Sequence, residues 1–238
     1  MPRKPRTLPA PARASATGAE TLASAAYRAI KEDIIGGVLV PREWLRIDAL
    51  RERYGAGASP IREALNRLSA EGLVLQQDQR GFMVADLDQT DLAEVIFTRC
   101  SLNEIMLPAA LTKGDVAWEE GVVLAHYHLA KTPPFRSDGR PNPDYLARHR
   151  EFHMAMLTAC DSRWLLDVSA KLFDWTQRYQ NLAMRHDLVA TRDVAREHDE
   201  LVEAILARDA RRAIDLLNAH VRETGRLAIA SRQEAKQD

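Results

Sequence analysis

Features that would place this chain in several familiar protein classes are scarce or missing. The sequence has two cysteines, Cys100 and Cys160, without a C-x-x-C spacing, which excludes a disulfide framework and favours two reduced, buried thiols. No apolar run is long enough to cross a bilayer, and the basic N-terminal stretch is not followed by the hydrophobic segment of a signal peptide. We therefore expect a cytoplasmic protein with no membrane partner.

A surplus of positive charge is also missing. The 33 lysine and arginine residues are balanced by 34 acidic residues, and the net charge is −1. Electrostatic binding of nucleic acid favours a basic surplus, so a DNA-binding function requires the cations to be concentrated on one surface. A dimer would double such phosphate contacts.

The chain is long enough for more than one domain. Its 238 residues and 46% hydrophobic content suit one to two domains, each with a core. Residues 1–20 are rich in proline and alanine, carry four basic residues and lack apolar periodicity, which predicts a flexible basic arm. Either a phosphate-binding extension or an inert terminus is compatible with that arm. We also expect a disordered tail at residues 233–238.

The most informative segment begins at Ser59 and reads Ser-Pro-Ile-Arg-Glu-Ala-Leu-Asn-Arg-Leu. Ser59 can cap a helix, and Pro60 suits the first helical position, where its missing N–H has no intrahelical partner. The apolar residues fall on one face at helical spacing, which leaves Ser59, Arg62 and Asn66 turned elsewhere. Arg can bind guanine with two hydrogen bonds and Asn can bind adenine in the same way, so these residues suit the DNA major groove. An ordinary solvated polar face is the alternative.

The neighbouring segments favour the DNA-binding interpretation. Amphipathic helices are predicted at residues 21–36 and 47–54, and a β-hairpin follows the Ser59 helix, with strands at 73–76 and 82–85. Three helices followed by a hairpin form a winged helix-turn-helix, which we assign to residues 21–86. Arg80 is then at the tip of the wing, where a cation can enter the minor groove or contact phosphate; an ordinary turn residue is the alternative.

These residues resemble the recognition region of GntR-type bacterial transcription regulators, which usually reads Gly-Val-Ser-Arg-Thr-Pro-Val-Arg-Glu-Ala-Leu and then Glu-Gly-Leu-Val. Here residues 55–65 read Gly-Ala-Gly-Ala-Ser-Pro-Ile-Arg-Glu-Ala-Leu, and residues 71–74 read Glu-Gly-Leu-Val. The resemblance implies DNA-contacting roles for Ser59, Arg62 and, in the wing, Gly81. Ala58 departs from the pattern, because the family commonly has a DNA-contacting arginine there, so the usual operator half-site is not implied.

After residue 86 the apolar pattern becomes helical almost throughout. Residues 87–90 are expected to form a short linker with a helix cap, and a helical domain follows at residues 91–232. Its six predicted helices cover residues 91–112, 115–131, 142–159, 163–185, 190–207 and 210–231. The predicted fold is therefore mainly α, with an N-terminal winged helix-turn-helix followed by an all-α helical bundle.

Histidines at helical spacing form the second informative pattern. His149 and His153 are four residues apart, so their imidazoles project from one face of a helix and can bind one metal ion together. His198 and His220 lie on two later helices beside the apolar seam, so all four rings can face the same bundle interior. Ordinary core or surface histidines are the alternative.

This part of the chain resembles the FCD ligand-binding domain that follows GntR-type DNA-binding domains. The resemblance lies in Phe-His at residues 152–153, Glu-His at 197–198 and a histidine on the last helix. It implies a metal held by His149, His153, His198 and His220. His149 stands where the family usually has Asp or Asn, so the ligand set is all-nitrogen. Imidazole suits Zn²⁺, Ni²⁺, Cu²⁺ or Fe²⁺ better than Mg²⁺ or Ca²⁺, and availability favours zinc.

The resemblance also implies a small organic acid as the effector. Arg99 is the candidate to pair with that acid, since the family typically has an arginine facing the pocket there, followed four residues later by Glu. Asn103 replaces that Glu in this chain. A surface or interhelical ion pair is the alternative role for Arg99. His126, His128 and His186 match no ligand position and are expected to be surface or structural residues.

Together these patterns favour a homodimeric transcriptional regulator, a repressor or an activator, that binds a pseudo-palindromic double-stranded DNA operator and responds to a small carboxylate in a metal-containing helical domain. Two alternatives stay open. The first is a metal-dependent enzyme, but such centres generally need carboxylates among the ligands, and Glu151 and Glu197 are expected to point to other faces. We assign no catalytic residue. The second alternative is a DNA-binding dimer whose helical domain is purely structural.

Overall fold

The computed structural model of the chain describes residues 21–183 and 192–234. The N-terminal elements are, in chain order, α1 (Leu22–Ile35), β1 (Trp44–Leu45), α2 (Ile47–Tyr54), α3 (Ala58–Ala70), β2 (Val74–Gln77) and β3 (Gly81–Val84). They are followed by α4 (Gln89–Lys113), α5 (Val116–Lys131), α6 (Pro143–Ala155), a short 3₁₀ helix (Thr158–Cys160), α7 (Arg163–Ala183), α8 (Val194–Leu206) and α9 (Ala210–Glu234). The predictions for residues 1–20, for residues 184–191 including His186, and for residues 235–238 lie outside the described residues.

The N-terminal elements form a winged helix around one apolar core. Thr21 caps α1 by accepting a hydrogen bond from the backbone N–H of Ser24. Helix α1 then packs against α3. The most deeply buried residues of this core are Ile30, Ile61, Ala64, Leu65, Leu68 and Val84. The predicted mainly helical fold with a winged helix-turn-helix is confirmed.

The wing is a three-stranded antiparallel sheet in the order β1-β3-β2. Leu45 of β1 pairs with Phe82, and Val74 of β2 pairs with Val84. The sequence prediction missed β1, because a strand of two residues has no alternation of apolar and polar positions to detect. The described hairpin strands lie within one residue of their predicted limits.

The start of α3 differs from its predicted position. The helix begins at Ala58, and Gly57 occupies the cap position with an extended backbone and no side-chain cap. The predictions that Ser59 caps the helix and that Pro60 is its first residue were therefore wrong. Alanine has the highest helix propensity, so Ala58, directly before Ser59, joins the helix as its first residue. Pro60 still falls within the first turn, where backbone N–H groups have no intrahelical acceptor.

The C-terminal helices pack around a second apolar core. Asp88 caps α4 by accepting from the backbone N–H of Thr90, and α4 continues through Pro108 to pack against α9 and α7. Where α4 and α9 meet, the Ile96 side chain occupies the space beside Gly225, since a Cβ there would lie 1.8 Å from Cδ1 of Ile96. Within the described ranges, no helix is both long enough and apolar enough to span a membrane. Cys100 and Cys160 are both buried free thiols, as predicted.

Several predicted boundaries in this domain need correction. Helix α4 begins at Gln89, so the predicted linker at 87–90 is shorter, and Leu87 within it is buried. Helix α6 ends at Ala155 instead of residue 159, and the 3₁₀ helix follows it. Helix α8 begins after Asp193, which caps it through the backbone N–H of Arg196, so the predicted start at residue 190 was wrong. Helix α9 continues to Glu234, so the tail predicted from residue 233 begins inside a helix.

Helix α7 connects the two domains. Trp175 packs against the winged-helix core, and its Nε1 donates to the backbone carbonyl of Glu71 at 3.2 Å. Gly72 has φ +76°, and a Cβ on it would lie 3.1 Å from the Trp175 ring. Glycine at this position therefore permits both the left-handed turn and the close approach of the indole.

Candidate functional site

Residues predicted to contact DNA lie on one exposed side of the winged helix. Ser59, Arg62 and Asn66 are exposed on α3, and Arg80 and Gly81 are exposed at the turn of the wing. The structure brings Arg62, Arg80 and Gly81 together around one hollow of about 700 Å³, between α3 and the sheet. Ser59 and Asn66 do not line that hollow and are placed farther along the helix surface.

A further cation lies at the same hollow. Arg46, which the sequence prediction did not select, lines it with Arg62 and Arg80, and the lining residues include no carboxylate. Arg46 directly follows the missed strand β1, so its position became visible only once that strand was known. Three arginines on one surface resolve the apparent conflict between a net charge of −1 and DNA binding, because affinity depends on local rather than total charge.

Four buried histidines converge in the C-terminal domain. His149 and His153 project from α6, His198 from α8 and His220 from α9. Each offers one ring nitrogen, and these four atoms all lie within 4.8 Å of one another. The closest pair is Nε2 of His149 and Nε2 of His153, at 3.0 Å. The structure thus brings together all four residues that the sequence selected as metal ligands.

The electrostatics of the cluster keep the four rings neutral. Burial is the main cause that lowers the pKa of His149 and His153 well below 6.5, and the neighbouring histidines lower it further. The pKa of His198 falls to about 2 through burial and the proximity of His220. Neutral imidazole is the form that donates a lone pair to a metal.

One atom in this cluster has an unmet bonding requirement. The Nε2 atom of His198 is buried and has no hydrogen-bond partner among the described residues. A buried polar atom without a partner costs about 1–3 kcal/mol, so such atoms are rare unless a water or an ion satisfies them. The residues present therefore fit a metal ion with four nitrogen ligands, in the donor class that suits zinc and its transition-metal neighbours.

A carboxylate and an arginine support this cluster from outside. Oε2 of Glu197 lies 2.7 Å from Nδ1 of His220, and Arg192 donates to both carboxylate oxygens of Glu197 at 2.6 Å. Arg192 also donates to the Thr224 hydroxyl at 2.9 Å and to the backbone carbonyl of His220 at 3.0 Å. Burial opposes ionisation of Glu197, but the hydrogen bonds from His220 and Arg192 lower its pKa to about 2.

This arrangement corrects one sequence prediction. Glu197 was expected to point away from the histidines, and the prediction was wrong because α9 packs on the side of α8 that carries Glu197. Glu151 is exposed and pairs with Arg148 at 2.7 Å, away from the cluster. The sequence analysis did not select Arg192. The signal that could have placed it near α8 is its position directly before Asp193, the residue that caps this helix.

Arg99 lies beside the histidine cluster. Its guanidinium is buried, stacks at 4.9 Å over the Phe173 ring, and lines a cavity together with His149, His153 and His220. Burial lowers the pKa of Arg99 to about 10, so the side chain keeps its charge at neutral pH. The charge of Asp174 favours the charged form of Arg99, but the ion pairs that Asp174 forms among the described residues are with Lys31 and Arg150. Asn103 is buried against Asn218 instead, to which it donates at 3.1 Å.

The cavity beside the histidines is small and polar. Its volume is about 10 Å³, which is room for one water-sized group. Helix α7 contributes most of the remaining wall, and the polar side chains there are Thr176, Gln177 and Gln180. His126 lies outside this cavity with Nε2 at 3.2 Å from Asp199, and His128 is likewise not among its lining residues.

Comparison with known proteins gives matches over both domains. The family model for bacterial regulatory proteins of the gntR family matches residues 22–84, and the FCD domain model matches residues 94–223. The chain is 33% identical over 198 residues to the HTH-type transcriptional repressor GlaR of Escherichia coli (strain K12), covering 82% of this chain and 90% of that protein. It is 32% identical over 203 residues to an uncharacterised HTH-type transcriptional regulator, BphR, of Paraburkholderia xenovorans (strain LB400), covering 84% and 82%.

Solved structures show the same fold. McbR/YncC of E. coli aligns with a TM-score of 0.75 at 18% identity, covering 91% of this chain and all of that one. A putative GntR transcriptional regulator of Rhodococcus sp. RHA1 aligns with a TM-score of 0.68 at 16% identity, covering 87% and 97%. At these identities the likeness extends to the fold alone.

Proposed function

The chain belongs to the GntR family of bacterial regulatory proteins and is a transcriptional regulator with an FCD domain, and from this premise we propose that a small organic acid bound at a metal centre controls its affinity for an operator. The observation that carries the proposal is the convergence of four buried, neutral histidines beside Arg99, a buried arginine that forms no ion pair with any of the described residues. The two groups offer a metal site and a cation for an anionic ligand at one place.

His149, His153, His198 and His220 would hold the metal, each through one ring nitrogen. Four nitrogen ligands favour Zn²⁺, with Ni²⁺ or Fe²⁺ also compatible, and disfavour the oxygen-seeking ions Mg²⁺ and Ca²⁺. When bound, such a metal supplies a Lewis-acid site for a carboxylate oxygen. Glu197 holds Nδ1 of His220 so that the other ring nitrogen faces the site.

The effector is a small carboxylate that Arg99 neutralises. Neutral imidazoles do not compensate the charge of a divalent cation, and Arg99 adds a further positive charge beside it. Burying uncompensated charge costs free energy, and a bound anion reduces that cost. The cavity of about 10 Å³ is too small for an organic acid. Binding therefore requires its wall to move, and α7 contributes Phe173, Thr176, Gln177 and Gln180 to that wall.

Movement of α7 reaches the DNA-binding domain because the opposite side of the helix is attached to it. Arg178 donates to the backbone carbonyl of Ala85 at 2.7 Å, and Asn181 donates to that of Ile35 at 2.7 Å. Asp174 pairs with Lys31 of α1 at 2.8 Å. A displacement of α7 that admits the effector thus displaces the end of α1 and the segment that directly follows β3.

The contacts between α7 and the winged helix are also incompletely satisfied. Nη1 of Arg178 and Oδ1 of Asn181 are buried without hydrogen-bond partners among the described residues. Each such atom costs about 1–3 kcal/mol, which destabilises the present docking of the domains and lowers the cost of a second arrangement. Two arrangements of comparable energy are what an effector needs in order to shift a population.

On DNA, the regulator acts as a homodimer whose two recognition helices contact successive half-sites of a pseudo-palindromic operator. Arg62 and Asn66 read base edges from α3, Ser59 contacts the DNA near the start of the same helix, and Arg80 with Gly81 brings the wing to the backbone or the minor groove. A coupling of about 1–3 kcal/mol between effector and operator changes operator affinity roughly 5- to 150-fold.

The test combines metal analysis with ligand-induced stabilisation of protein purified without a histidine tag. We expect about one transition-metal ion per chain, and a rise in melting temperature with certain small carboxylates that is lost after chelation. His198→Ala should abolish the response by removing a ligand, and Arg99→Ala should abolish it while leaving the metal bound. Metal-free protein with no response to any acid would support a purely structural helical domain and overturn the proposal.

A further inference from the structure

The hollow between α3 and the wing combines apolar and positively charged side chains. Its apolar lining residues are Trp44, Leu45, Ile47 and Phe82, and its charged lining residues are the three arginines Arg46, Arg62 and Arg80. The sugar–phosphate backbone of DNA is complementary to such a lining, because its sugars present apolar surface and its phosphates are anionic.

The three arginines of the hollow differ from other arginines of the winged helix in having no carboxylate partner. On α2, Arg51 pairs with Asp48 at 3.0 Å, and Arg53 pairs with Asp33 of α1 at 2.8 Å. Within residues 21–183 and 192–234, no ion pair involves Arg46, Arg62 or Arg80. The acidic residues thus neutralise arginines elsewhere and leave the positive charge of the hollow available to an anionic partner.

The docking of a winged helix on DNA determines which part of the duplex passes this hollow. The recognition helix enters the major groove, and the wing approaches the adjacent minor groove. One sugar–phosphate strand separates these two grooves, with a phosphate about every 3.4 Å along the helix axis. Because the hollow lies between Arg62 of α3 and Arg80 of the wing, that strand crosses it.

The backbone of Arg46 is held in place beside the path of that strand. Arg46 lies between β1 and α2, where Leu45 is buried and pairs with Phe82, and Ile47 packs against the core of the winged helix. The register of β1 and β3, continued by one residue, places Arg46 beside Gly81 at the start of β3. The exposed side chain therefore extends from a fixed backbone, which lowers the entropy lost when it binds a ligand.

The second arginine of α3 is engaged elsewhere. Arg67 stacks at 4.0 Å over the ring of Tyr27 and donates to the Ser24 hydroxyl at 3.4 Å, and both partners belong to α1. Helix α3 thus brings one arginine, Arg62, to the hollow, and further positive charge there comes from Arg46 and the wing.

We propose that Arg46 binds a phosphate of the DNA strand that passes between α3 and the wing. The proposal rests on the placement of α3 and the wing in the proposed function and adds a contact that this placement left unassigned. A phosphate contact fixes the register and orientation of a protein on the duplex but does not read sequence. Arg46 is therefore a positioning residue, which holds α3 in the groove so that Arg62 reaches a base edge.

The first test measures binding by fluorescence anisotropy at several salt concentrations. The two probes are a duplex of arbitrary sequence and a duplex that the parent protein selects from a random pool. For Arg46→Ala we expect the slope of log affinity against log salt concentration to become shallower by about 0.9 per chain. The affinity lost between about 50 and about 200 mM salt should then be about 3.5-fold smaller per chain. Preference for the selected duplex should equal that of the parent.

Two variants control for charge and for folding. Arg46→Lys keeps a cation at the hollow and should keep the parent's salt slope. Arg211→Ala removes another exposed arginine, on α9 in the C-terminal domain, and should also keep it. The melting temperature of each variant shows whether the fold is intact.

The second test locates the phosphate. One neutral methylphosphonate replaces a phosphate at successive positions of the selected duplex, and affinity is measured for the parent and for Arg46→Ala. The parent should lose affinity at each phosphate that it contacts. Arg46→Ala should be insensitive to one of these replacements, on the strand between the major-groove and minor-groove contacts, because the two changes remove the same interaction.

The outcomes separate this inference from the proposed function. Arg46→Ala with the parent's salt slope, or with the parent's response to every methylphosphonate, overturns the phosphate contact. Loss of preference for the selected duplex at an unchanged slope also overturns it, since that result indicates contact with a base. If Arg62→Ala and Arg80→Ala bind both duplexes like the parent as well, the placement of α3 and the wing on DNA fails too.

Discussion

The Glu197 carboxylate accepts a hydrogen bond from Nδ1–H of His220, with 2.7 Å between Oε2 and Nδ1. Arg192 also approaches Nδ1, at 3.2 Å, but a guanidinium only donates and a protonated Nδ1 cannot accept, so the carboxylate contact determines the tautomer. With Nδ1 protonated, Nε2 of His220 carries the free lone pair. The hydrogen bonds from Arg192 to Glu197 and from His220 to Glu197 therefore fix the tautomer and orientation that His220 needs as a metal ligand.

Removal of Glu197 should weaken metal binding. Glu197→Ala leaves Nδ1 of His220 without its acceptor, and we expect zinc affinity to fall roughly 10- to 100-fold. Glu197→Gln keeps an acceptor and should lose less. Competition with a chromogenic chelator measures the zinc affinity of both variants. Glu200→Gln is the control, because Glu200 lies three residues after Glu197 on α8 and pairs with Arg196 on the exposed side of the helix. Equal zinc affinities in all four proteins would contradict the role assigned to Glu197.

The metal-free protein should lose stability in mild acid. Burial lowers the pKa of His149, His153 and His198 in the folded chain, whereas an unfolded histidine titrates near about 6.5. The unfolded state therefore takes up protons first, and the contribution to stability is present above about pH 6.5 and lost as the pH falls below it. Each such histidine contributes a slope of up to about 1.4 kcal/mol per pH unit.

Urea denaturation of chelator-treated protein at about pH 7.5 and about pH 5.5 measures this loss. His153→Phe removes one buried imidazole and should reduce the dependence on pH, while His128→Gln, outside the cavity, should not. A free energy of unfolding that does not change across this interval would show that the cluster is accessible to protons in the folded state.

The sequence predicted local features well and contacts between distant segments less well. The limits of α2 and the shared face of His149 and His153 follow from helical periodicity, which acts over a few residues. Convergence of His198 and His220 in the same cluster followed from the apolar seam, because a bundle has one interior. The contact of Glu197 with His220 depends on how α8 and α9 pack against each other, and periodicity within one helix does not encode that.

The wrong helix start has a similar cause. Ser59 has the side chain of a capping residue, but Gly57 takes the extended cap conformation without one, and no rule based on side-chain type selects a glycine over a serine two residues later. Arg46 was missed because it lies between a strand too short to show a pattern and a helix, where charge alone predicts only exposure. Both errors concern backbone conformation that tertiary packing decides.

Arg62 should contribute to operator binding by contacting a DNA base, and Arg80 by contacting the DNA phosphate backbone or the minor groove. Arg62→Ala is expected to cost roughly 1–3 kcal/mol on the operator and to reduce discrimination against a mutated half-site. Arg80→Ala should instead weaken binding to all duplexes and lower the dependence on salt. Fluorescence anisotropy at several salt concentrations distinguishes the two. Arg211→Ala is the control, because it removes an exposed arginine from α9 in the C-terminal domain. An Arg62→Ala isotherm equal to that of the parent would exclude base reading by this residue.

Arg178 should transmit the effector signal without taking part in metal binding. Its guanidinium is buried and donates through Nη2 to the carbonyl of Ala85, while Nη1 has no hydrogen-bond partner among the described residues. Arg178→Met keeps the aliphatic length that packs beside Trp175 but removes the link to the winged helix. We expect metal affinity to stay unchanged, while the ratio of operator affinities with and without metal and acid moves towards one.

Two titrations on each protein decide this prediction, one of zinc against a competing chelator and one of operator DNA with and without the metal and the acid. Lys171→Met is the matched control, because it also replaces a cation on α7 but at a position exposed to solvent. By reciprocity, a lost effect of the effector on DNA must appear as a lost effect of DNA on effector affinity. If Arg178→Met retained the parent's ratio, the signal would have to pass through the other contacts of α7 with the winged helix, those of Asp174, Trp175 and Asn181, and the bond from Arg178 to Ala85 would not explain the coupling.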